Sequence, residues 1–576
     1  SSHLVALKIV ALEEGTPKSL EGFRQEVRAV AALDHPAIVQ IYDHGRVPST
    51  LAALSDGRIP AQAAWFAMEL AEQGSLVQHM GLLPWAALQE VLLALLDALA
   101  HAHARGVIHR DLKPANVLFA QGAKGEEIKL SDFGLAHALG RGRGSTSLAG
   151  TPTHMSPEQF LGRWRAFGPW TDLYALGCLT WEMVCGRPLF DGKAVSQQMQ
   201  AHLQEEPGVF RPAVDVPLGL EAWLRCLLAK SPQDRFQRAA DAAYGLLRLP
   251  RETAVIGHAP MLQAHAPLTQ ALTWASVGPG DTLMHQLKAP AWEPLAQPLG
   301  QSLRCKRSLA PLPEHPGVPA RSSARPGLGL LGLKSPALLD RDQERTLLWS
   351  ELQACRRDGQ SRMVIFQGPA GIGKTRLCRW LSERAHELGA AEVFHATHTA
   401  TGGPSEGLTG LLAHHLHALG LSREGLRSIL EDRMGSSEAL RMEALALTEL
   451  LRPMGPRAGP RSAKERHGLV RGVIDRARKE GLEEGARVVI LWLDDVQWGR
   501  DALSFAKRLL TDSVFADLPM LILATVRDEG IASGPKAQLR ELALLARCTR
   551  RVLGPLPAKH QRALVREELG LVGQLA

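Results

Sequence analysis

The segment His109-Arg110-Asp111-Leu112-Lys113-Pro114-Ala115-Asn116 sets a carboxylate, an ammonium and a carboxamide close together in one short stretch. Phosphoryl transfer to a hydroxyl needs such groups: one to orient the acceptor, a metal to spread the phosphate charge, and a cation on the moving group. Asp111 can accept the hydroxyl proton, Lys113 can reach the transferring γ-phosphate, and Asn116 can hold a magnesium ion. Sixteen residues beyond Asn116 comes Asp132-Phe133-Gly134, whose Asp132 would bind magnesium bridging the β- and γ-phosphates. Upstream, Val5-Ala6-Leu7-Lys8 puts a lysine at the end of a predicted strand, suited to the α- and β-phosphates. Glu26, in a predicted helix from Gly22 to Val30, can pair with Lys8 and hold it extended.

A second phosphate-binding pattern lies far downstream. Gly368-Pro369-Ala370-Gly371-Ile372-Gly373-Lys374-Thr375 fits G-x-x-x-x-G-K-[ST] between a predicted strand, Met363 to Gln367, and a predicted helix. Gly368, Gly371 and Gly373 let backbone N–H groups turn toward phosphates at a helix N-terminus. Lys374 would bridge the β- and γ-phosphates, and the Thr375 hydroxyl would bind magnesium. The apolar run from Val488 to Leu493 ends in Asp494-Asp495. Asp494 would act on magnesium, and Asp495 could orient or deprotonate the attacking water. The strand predicted from Met520 ends in Thr525-Val526-Arg527, polar groups able to sense a γ-phosphate.

The elements that must position these residues fall into three zones. Residues 1–248 carry periodic apolar segments: strands at Val5–Val10, Ile38–Tyr42 and Ala63–Glu69, a helix around Leu20–Leu33, and mainly helical periodicity after Leu83. A small sheet lobe followed by a helical lobe is an α+β arrangement. Residues 249–336 hold 13 of the 36 prolines, so this stretch cannot bury enough apolar surface to fold and is predicted to be a largely disordered linker. From 337 to 576 strands alternate with helices, which implies an α/β domain on a parallel sheet.

Composition narrows the class. The chain of 576 residues is 45% hydrophobic and 22% charged, as in ordinary globular proteins. Its seven cysteines are scattered without paired spacing, which points to reduced thiols in a reducing, cytoplasmic compartment. No uninterrupted apolar run is long enough to span a bilayer; the nearest, Val91–Leu99, is broken by Asp97. The net charge of +7 includes nine Lys or Arg between Arg452 and Lys479, without aromatic interleaving, and these read as a solvated helical face rather than a nucleic-acid platform. His101, His103 and His109 sit too irregularly on their helix to share one metal.

The ordered set VALK, a helical Glu26, HRDLKPAN, DFG and Ser156-Pro157-Glu158 resembles the eukaryotic-type protein kinases over residues 1–248. The resemblance implies a bilobal fold and ATP bound at a hinge formed by Met68-Glu69-Leu70-Ala71, where backbone groups of Glu69 and Ala71 would hold adenine and Met68 would be the gatekeeper. It implies further that Asp172 braces the catalytic loop and that Arg235 pairs with Glu158. LKPAN after the aspartate is similar to the Ser/Thr branch, with Thr151 shaping the floor of the substrate site. Arg110 beside Asp111 suggests control by activation-loop phosphorylation, with Ser145, Thr146, Ser147 and Thr153 as acceptors and Thr146 or Ser147 preferred. His154 and Ser156 stand where many relatives have Tyr and Ala. The family's Gly-rich loop would lie before Ser1, so the small lobe is expected to be incomplete in this sequence.

Residues 337–576 resemble the AAA-type ATPase core of STAND regulators, in the branch near maltose-regulon activators; DDVQWGRDAL is the most similar stretch. Asp340-Arg341-Asp342-Gln343-Glu344 is similar to that family's (G)RxxE motif, without its usual glycine. The resemblance implies a slow nucleotide switch that self-associates, with further modules expected after Ala576. The combined expectation is an ATP- and Mg²⁺-dependent kinase acting on protein Ser/Thr and governed by the second domain. The alternative is a kinase-like scaffold whose ATPase drives assembly.

Overall fold

The computed structural model describes residues 4–10, 25, 27–55, 58–60, 63–122, 125–133, 152–250, 253–254, 313–316, 338–403, 405–434, 437–455, 462–480, 482 and 485–568. Glu26, Gly134, Thr151, Ser145, Thr146 and Ser147 lie outside them, and so do residues 20–24 of the helix expected around Leu20–Leu33, of which residues 25 and 27–31 are helical.

The first domain begins with three antiparallel strands, β1 (Val5–Val10), β2 (Ile41–Arg46) and β3 (Ala64–Glu69), in the order β1-β3-β2. Alternation along β3 buries Ala64 and Phe66 while Trp65 and Ala67 stay half-buried. The strand expected at Ile38–Tyr42 instead starts at Ile41. Residues 38 and 39 are diverted to join the lobes: Ile38 bridges Leu130, and the Val39 amide donates to the Leu130 carbonyl at 3.0 Å.

The helical lobe is organised by α1 (Trp85–Ala104) and α2 (Pro169–Cys185), both largely buried in one apolar cluster. α1 is long and apolar enough to cross a membrane by length and composition, yet Leu92, Leu95, Leu96 and Leu99 are buried against the domain core. Between these helices an antiparallel hairpin, β4 (Val117–Gly122) and β5 (Gly125–Leu130), follows the HRDLKPAN segment, and α3 (Ala239–Leu247) closes the lobe.

The segment read as a disordered linker is held at two places among its described residues. Thr253–Ala254 pairs with Val216–Pro217. The carbonyls of Pro313, Glu314 and Pro316 accept bonds from Trp349, Gln353 and Arg384. A proline-containing stretch outside helix and sheet leaves its carbonyls without ladder partners, and these three side chains supply the donors.

The second domain opens with α4 (Asp342–Asp358) and is built on five parallel strands: β6 (Arg362–Gly368), β7 (Ala391–Thr397), β8 (Val488–Asp494), β9 (Met520–Arg527) and β10 (Cys548–Val552). Their order is β10-β6-β9-β8-β7. Period-2 alternation sends Met363, Ile365, Val489 and Leu491 into one apolar layer and Val364, Phe366, Ile490 and Trp492 into the other. Helix α5 (Lys374–Glu387) follows β6 after the short glycine loop 369–373. In open parallel sheets ligands bind beyond the carboxyl ends of strands where the order reverses, and β6, between β9 and β10, ends there.

Candidate active site and P-loop site

The hairpin β4–β5 explains the sixteen-residue spacing between Asn116 and Asp132. Val117 pairs with Leu130, so the residues just outside the open end of the hairpin meet. The Ser131 amide and hydroxyl both donate to the Asn116 carbonyl, at 2.9 and 3.1 Å. The His109 ring lies 2.9 Å from the Ser131 carbonyl and packs on Phe133. Burial pushes the His109 imidazole below its ordinary pKa, so it is a neutral strut.

Within the loop, Lys113 Nζ donates to Asp111 Oδ2 at 2.9 Å. Asn116 Nδ2 donates to the Asp111 carbonyl at 2.7 Å and to Oδ2 at 3.3 Å, which leaves Asn116 Oδ1 as the group's acceptor. Across the lobes, Lys8 Nζ reaches Asp132 Oδ1 at 2.5 Å. Arg110 and Asp132 both adopt left-handed backbone, φ 66° and 61°, a conformation that costs non-glycine residues energy and clusters at functional sites.

Asp172 holds the loop in this shape. Its carboxylate accepts from the amides of His109 and Arg110, each at 2.8 Å, and lies 2.8 Å from His103 Nε2. The side chain is fully buried, and these partners keep its pKa below the usual value although burial alone would raise it. Arg235, also fully buried, makes a two-pronged pair with Glu158 at 2.9 and 3.0 Å. Gln159, which belongs to no motif, also supports the loop: its Oε1 accepts from the Ser156 amide while its Nε2 donates to the Arg110 carbonyl at 2.8 Å.

At the hinge, Met68, next to last in β3, is half-buried and opposite Ala6, and the Glu69 amide donates to the Gln40 carbonyl at 2.9 Å. The Glu69 carboxylate is engaged by Lys129 at 2.8 Å, so this side chain is structural and only its backbone faces the hinge role. Ala71 is half-buried just beyond β3. Thr153 bonds the neighbouring His154 ring at 2.9 Å.

In the second domain, Gly371 and Gly373 take φ 78° and 102°, which side-chain-bearing residues rarely adopt, and the loop curls over Lys374. Lys374 Nζ donates to the carbonyls of Gly368 and Pro369 at 2.7 Å, and burial lowers its pKa. Gly368 is a packing requirement: a Cβ there would lie 2.9 Å from the Leu553 carbonyl. Thr375 Oγ1 donates to Asp494 Oδ1 at 3.1 Å, and Thr525 Oγ1 donates to the same oxygen at 2.5 Å.

Asp495, expected to act on water, is clasped by Arg527, with Nε 3.0 Å from Oδ1 and Nη2 on Oδ2. Arg341 bonds the Gly554 carbonyl at 2.8 Å, and Asp340, where a glycine is usual, takes φ 52°. A cavity of about 300 Å³ sits over the loop, lined by Gly371, Gly373, Lys374, Thr375, Asp495 and Arg527. Arg376 and Arg379, which sequence reading missed, add positive charge to its wall.

The donor sets fit a small hard cation. Asn116 offers a carboxamide oxygen, and Asp132, next to the Ser131 that bonds the Asn116 backbone carbonyl, offers a carboxylate; Thr375 offers a hydroxyl oxygen beside the Asp494 carboxylate, and these are oxygen ligands that magnesium takes.

Fold and sites together define a two-domain nucleotide-binding protein, one phosphate grip in a bilobal α+β unit and one at the head of a parallel sheet. Residues 1–242 match the protein kinase domain family and residues 337–523 the AAA ATPase domain family. The chain thus carries a protein kinase domain followed by an AAA ATPase domain, and both families use ATP. Its kinase part is similar to the serine/threonine-protein kinase PknB of Mycolicibacterium smegmatis, 34% identical over 42% of this chain and 38% of that one. It is also similar to PknL of Mycobacterium bovis, 32% identical over 46% of this chain and 63% of that one. The solved PknI kinase domain of Mycobacterium tuberculosis is 26% identical, covering 42% of this chain and 84% of that one, with a TM-score of 0.31. The chain spans between 34% and 63% of the length of such curated relatives.

Proposed function

We propose that the protein transfers the γ-phosphate of ATP to Ser or Thr hydroxyls of proteins, and that its ATPase domain is a STAND-type nucleotide switch governing that activity. The observation that carries the reading is the joining of Asp111, Lys113 and Asn116 in one bonded loop beside the Lys8–Asp132 pair. Asp111 accepts the acceptor hydroxyl's proton as that oxygen attacks. Lys113 stays within 2.9 Å of Asp111 and places its ammonium where charge builds on the moving phosphoryl group. Lys8 anchors the α- and β-phosphates, and the hinge backbone at Glu69 and Ala71 holds adenine beneath Met68. Glu26 is assigned to pairing with Lys8. Asn116 and Asp132 would hold Mg²⁺, which supplies charge neutralisation to the β- and γ-phosphates when bound.

In the ATPase domain, Gly368, Gly371, Gly373 and Lys374 wrap the phosphates, while Thr375 and Asp494 would hold Mg²⁺. Asp495 is assigned to the attacking water, with Arg527 setting its position. Self-association through this domain fits the switch reading, as does a cytoplasmic setting where ATP is abundant. Incubation of the intact protein with Mg-ATP is expected to label serine and threonine, on itself or on an added protein, and chelation with EDTA is expected to abolish the label. Label confined to tyrosine, or label indifferent to EDTA, contradicts the reading.

A further inference from the structure

We propose that the ends of α1 and α3 form a dedicated docking face for the ATPase domain of the same chain, and that α5 and β8 carry the nucleotide state of the P-loop across it to the kinase catalytic loop. This deepens the regulatory reading above and rests on it.

Asp241 on α3 meets Arg487, the residue before β8. Their side chains are only 4% and 1% exposed. A lone charge buried this far is strongly disfavoured, so a contact that buries both demands that each find its opposite on the other domain. The remaining pairs follow the same logic. Arg238, before α3, donates to the Ala391 carbonyl at 2.6 Å and grips Glu392 at the start of β7. Arg105, just past α1, donates to Glu387 at 2.6 Å and lies 3.1 Å from Glu383, both on α5. His101 on α1 is 3.2 Å from the same Glu387. Signs alternate across the contact, so a shifted docking would set like charges together. The backbones also approach closely at Gly389, φ 64°, where a Cβ would lie 3.2 Å from Ala240 Cβ.

The far ends of both phosphate-sensing elements lie in this contact. Helix α5 starts at Lys374 and Thr375 and ends at Glu387, a rod of 14 residues or about 20 Å. Strand β8 ends at Asp494 on the phosphate side and is preceded by Arg487 on the kinase side. On the kinase, His101 touches Glu387 while His103, two residues on along α1, touches Asp172, which holds the amides of His109 and Arg110. A tilt of α5 on nucleotide exchange therefore pushes on α1, whose His103 contacts Asp172, the α2 brace of the catalytic loop. Packed helices shift as rigid bodies, which suits such transmission.

The test compares the intact protein with Asp241→Arg, Arg487→Asp and the double exchange, each with Lys374 intact or replaced by Ala. Hydrogen exchange of peptides covering 97–105 and 383–392 reads docking, and the ratio of phosphorylation rates with and without Lys374 reads coupling. Each single reversal is expected to speed exchange in both peptides at least tenfold and to bring the rate ratio close to one; the double exchange is expected to restore both. In the variants that keep Lys374, ATP affinity at the P-loop, held within twofold, shows that they remain folded; for the Lys374→Ala forms an unaltered thermal unfolding midpoint does so. If Lys374→Ala alters the kinase rate but the reversals change neither exchange nor ratio, the docking proposal is overturned while the regulatory reading stands. If Lys374→Ala leaves the kinase rate unchanged in the unaltered background, the regulatory reading falls, and the transmission through α5 and β8 falls with it.

Discussion

Replacement of Asp111 by asparagine is expected to cut phosphate transfer to protein by about 10²–10⁴-fold, the range lost when a positioned general base is removed. Asparagine keeps the shape and the Oδ1 acceptor but has no oxygen basic enough to take a proton. The contacts from Lys113 and Asn116, both directed to Asp111 Oδ2, lose their charge partner without leaving a cavity. Binding of ATP should change little, because Lys8 and Asp132 pair with each other and not with Asp111. The signature is therefore a fall in kcat with KM for ATP held within about twofold. An Asp111→Asn protein keeping half its activity would remove Asp111 from the chemistry.

The second large effect concerns Lys374. Its ammonium is buried and held by two loop carbonyls at 2.7 Å, and it lines the cavity over the P-loop. Lys374→Ala removes a charge-assisted contact to phosphate, worth about 1.5–3 kcal/mol. It should weaken nucleotide binding in the ATPase domain about 10- to 100-fold, since each 1.4 kcal/mol is tenfold. Titration of a fluorescent ATP analogue resolves this, and unchanged affinity at the second domain would refute the assigned role. Arg376 and Arg379 also line the cavity, so some residual phosphate affinity is expected.

Much of both sites was legible because local chemistry and spacing coincide. HRDLKPAN and the P-loop are contiguous, so their roles follow from residue types alone. The sixteen residues from Asn116 to Asp132 looked arbitrary in the sequence; the β4–β5 register shows them to be the length of one hairpin. Buried strands such as β8 announce themselves as unbroken apolar runs. The edge strands do not: β10, Cys548–Val552, carries Arg550 and Arg551 on an exposed edge, and β7 mixes Glu392 and His395 among its apolar residues. Neither gives a clean period.

Long-range side-chain roles were the least readable. Glu69 resembles a hinge residue, yet its carboxylate serves Lys129. Asp495 was assigned to water from its place beside Asp494; the structure adds Arg527 from the next strand, a partner 32 residues away. The docking face escapes sequence reading altogether. Asp241 and Arg487 lie 246 residues apart and look, one by one, like ordinary surface charges. Only their shared burial marks them as a pair.

The account turns on the chain holding two separate Mg-ATP sites, and calorimetric titration of the intact protein with a non-hydrolysable Mg-ATP analogue counts them directly. Two equivalents per chain are expected, with one of them weakened about 10- to 100-fold in Lys374→Ala and the other weakened in Asp132→Asn. A single equivalent in the unaltered protein, or two of unaltered affinity in both variants, would contradict it.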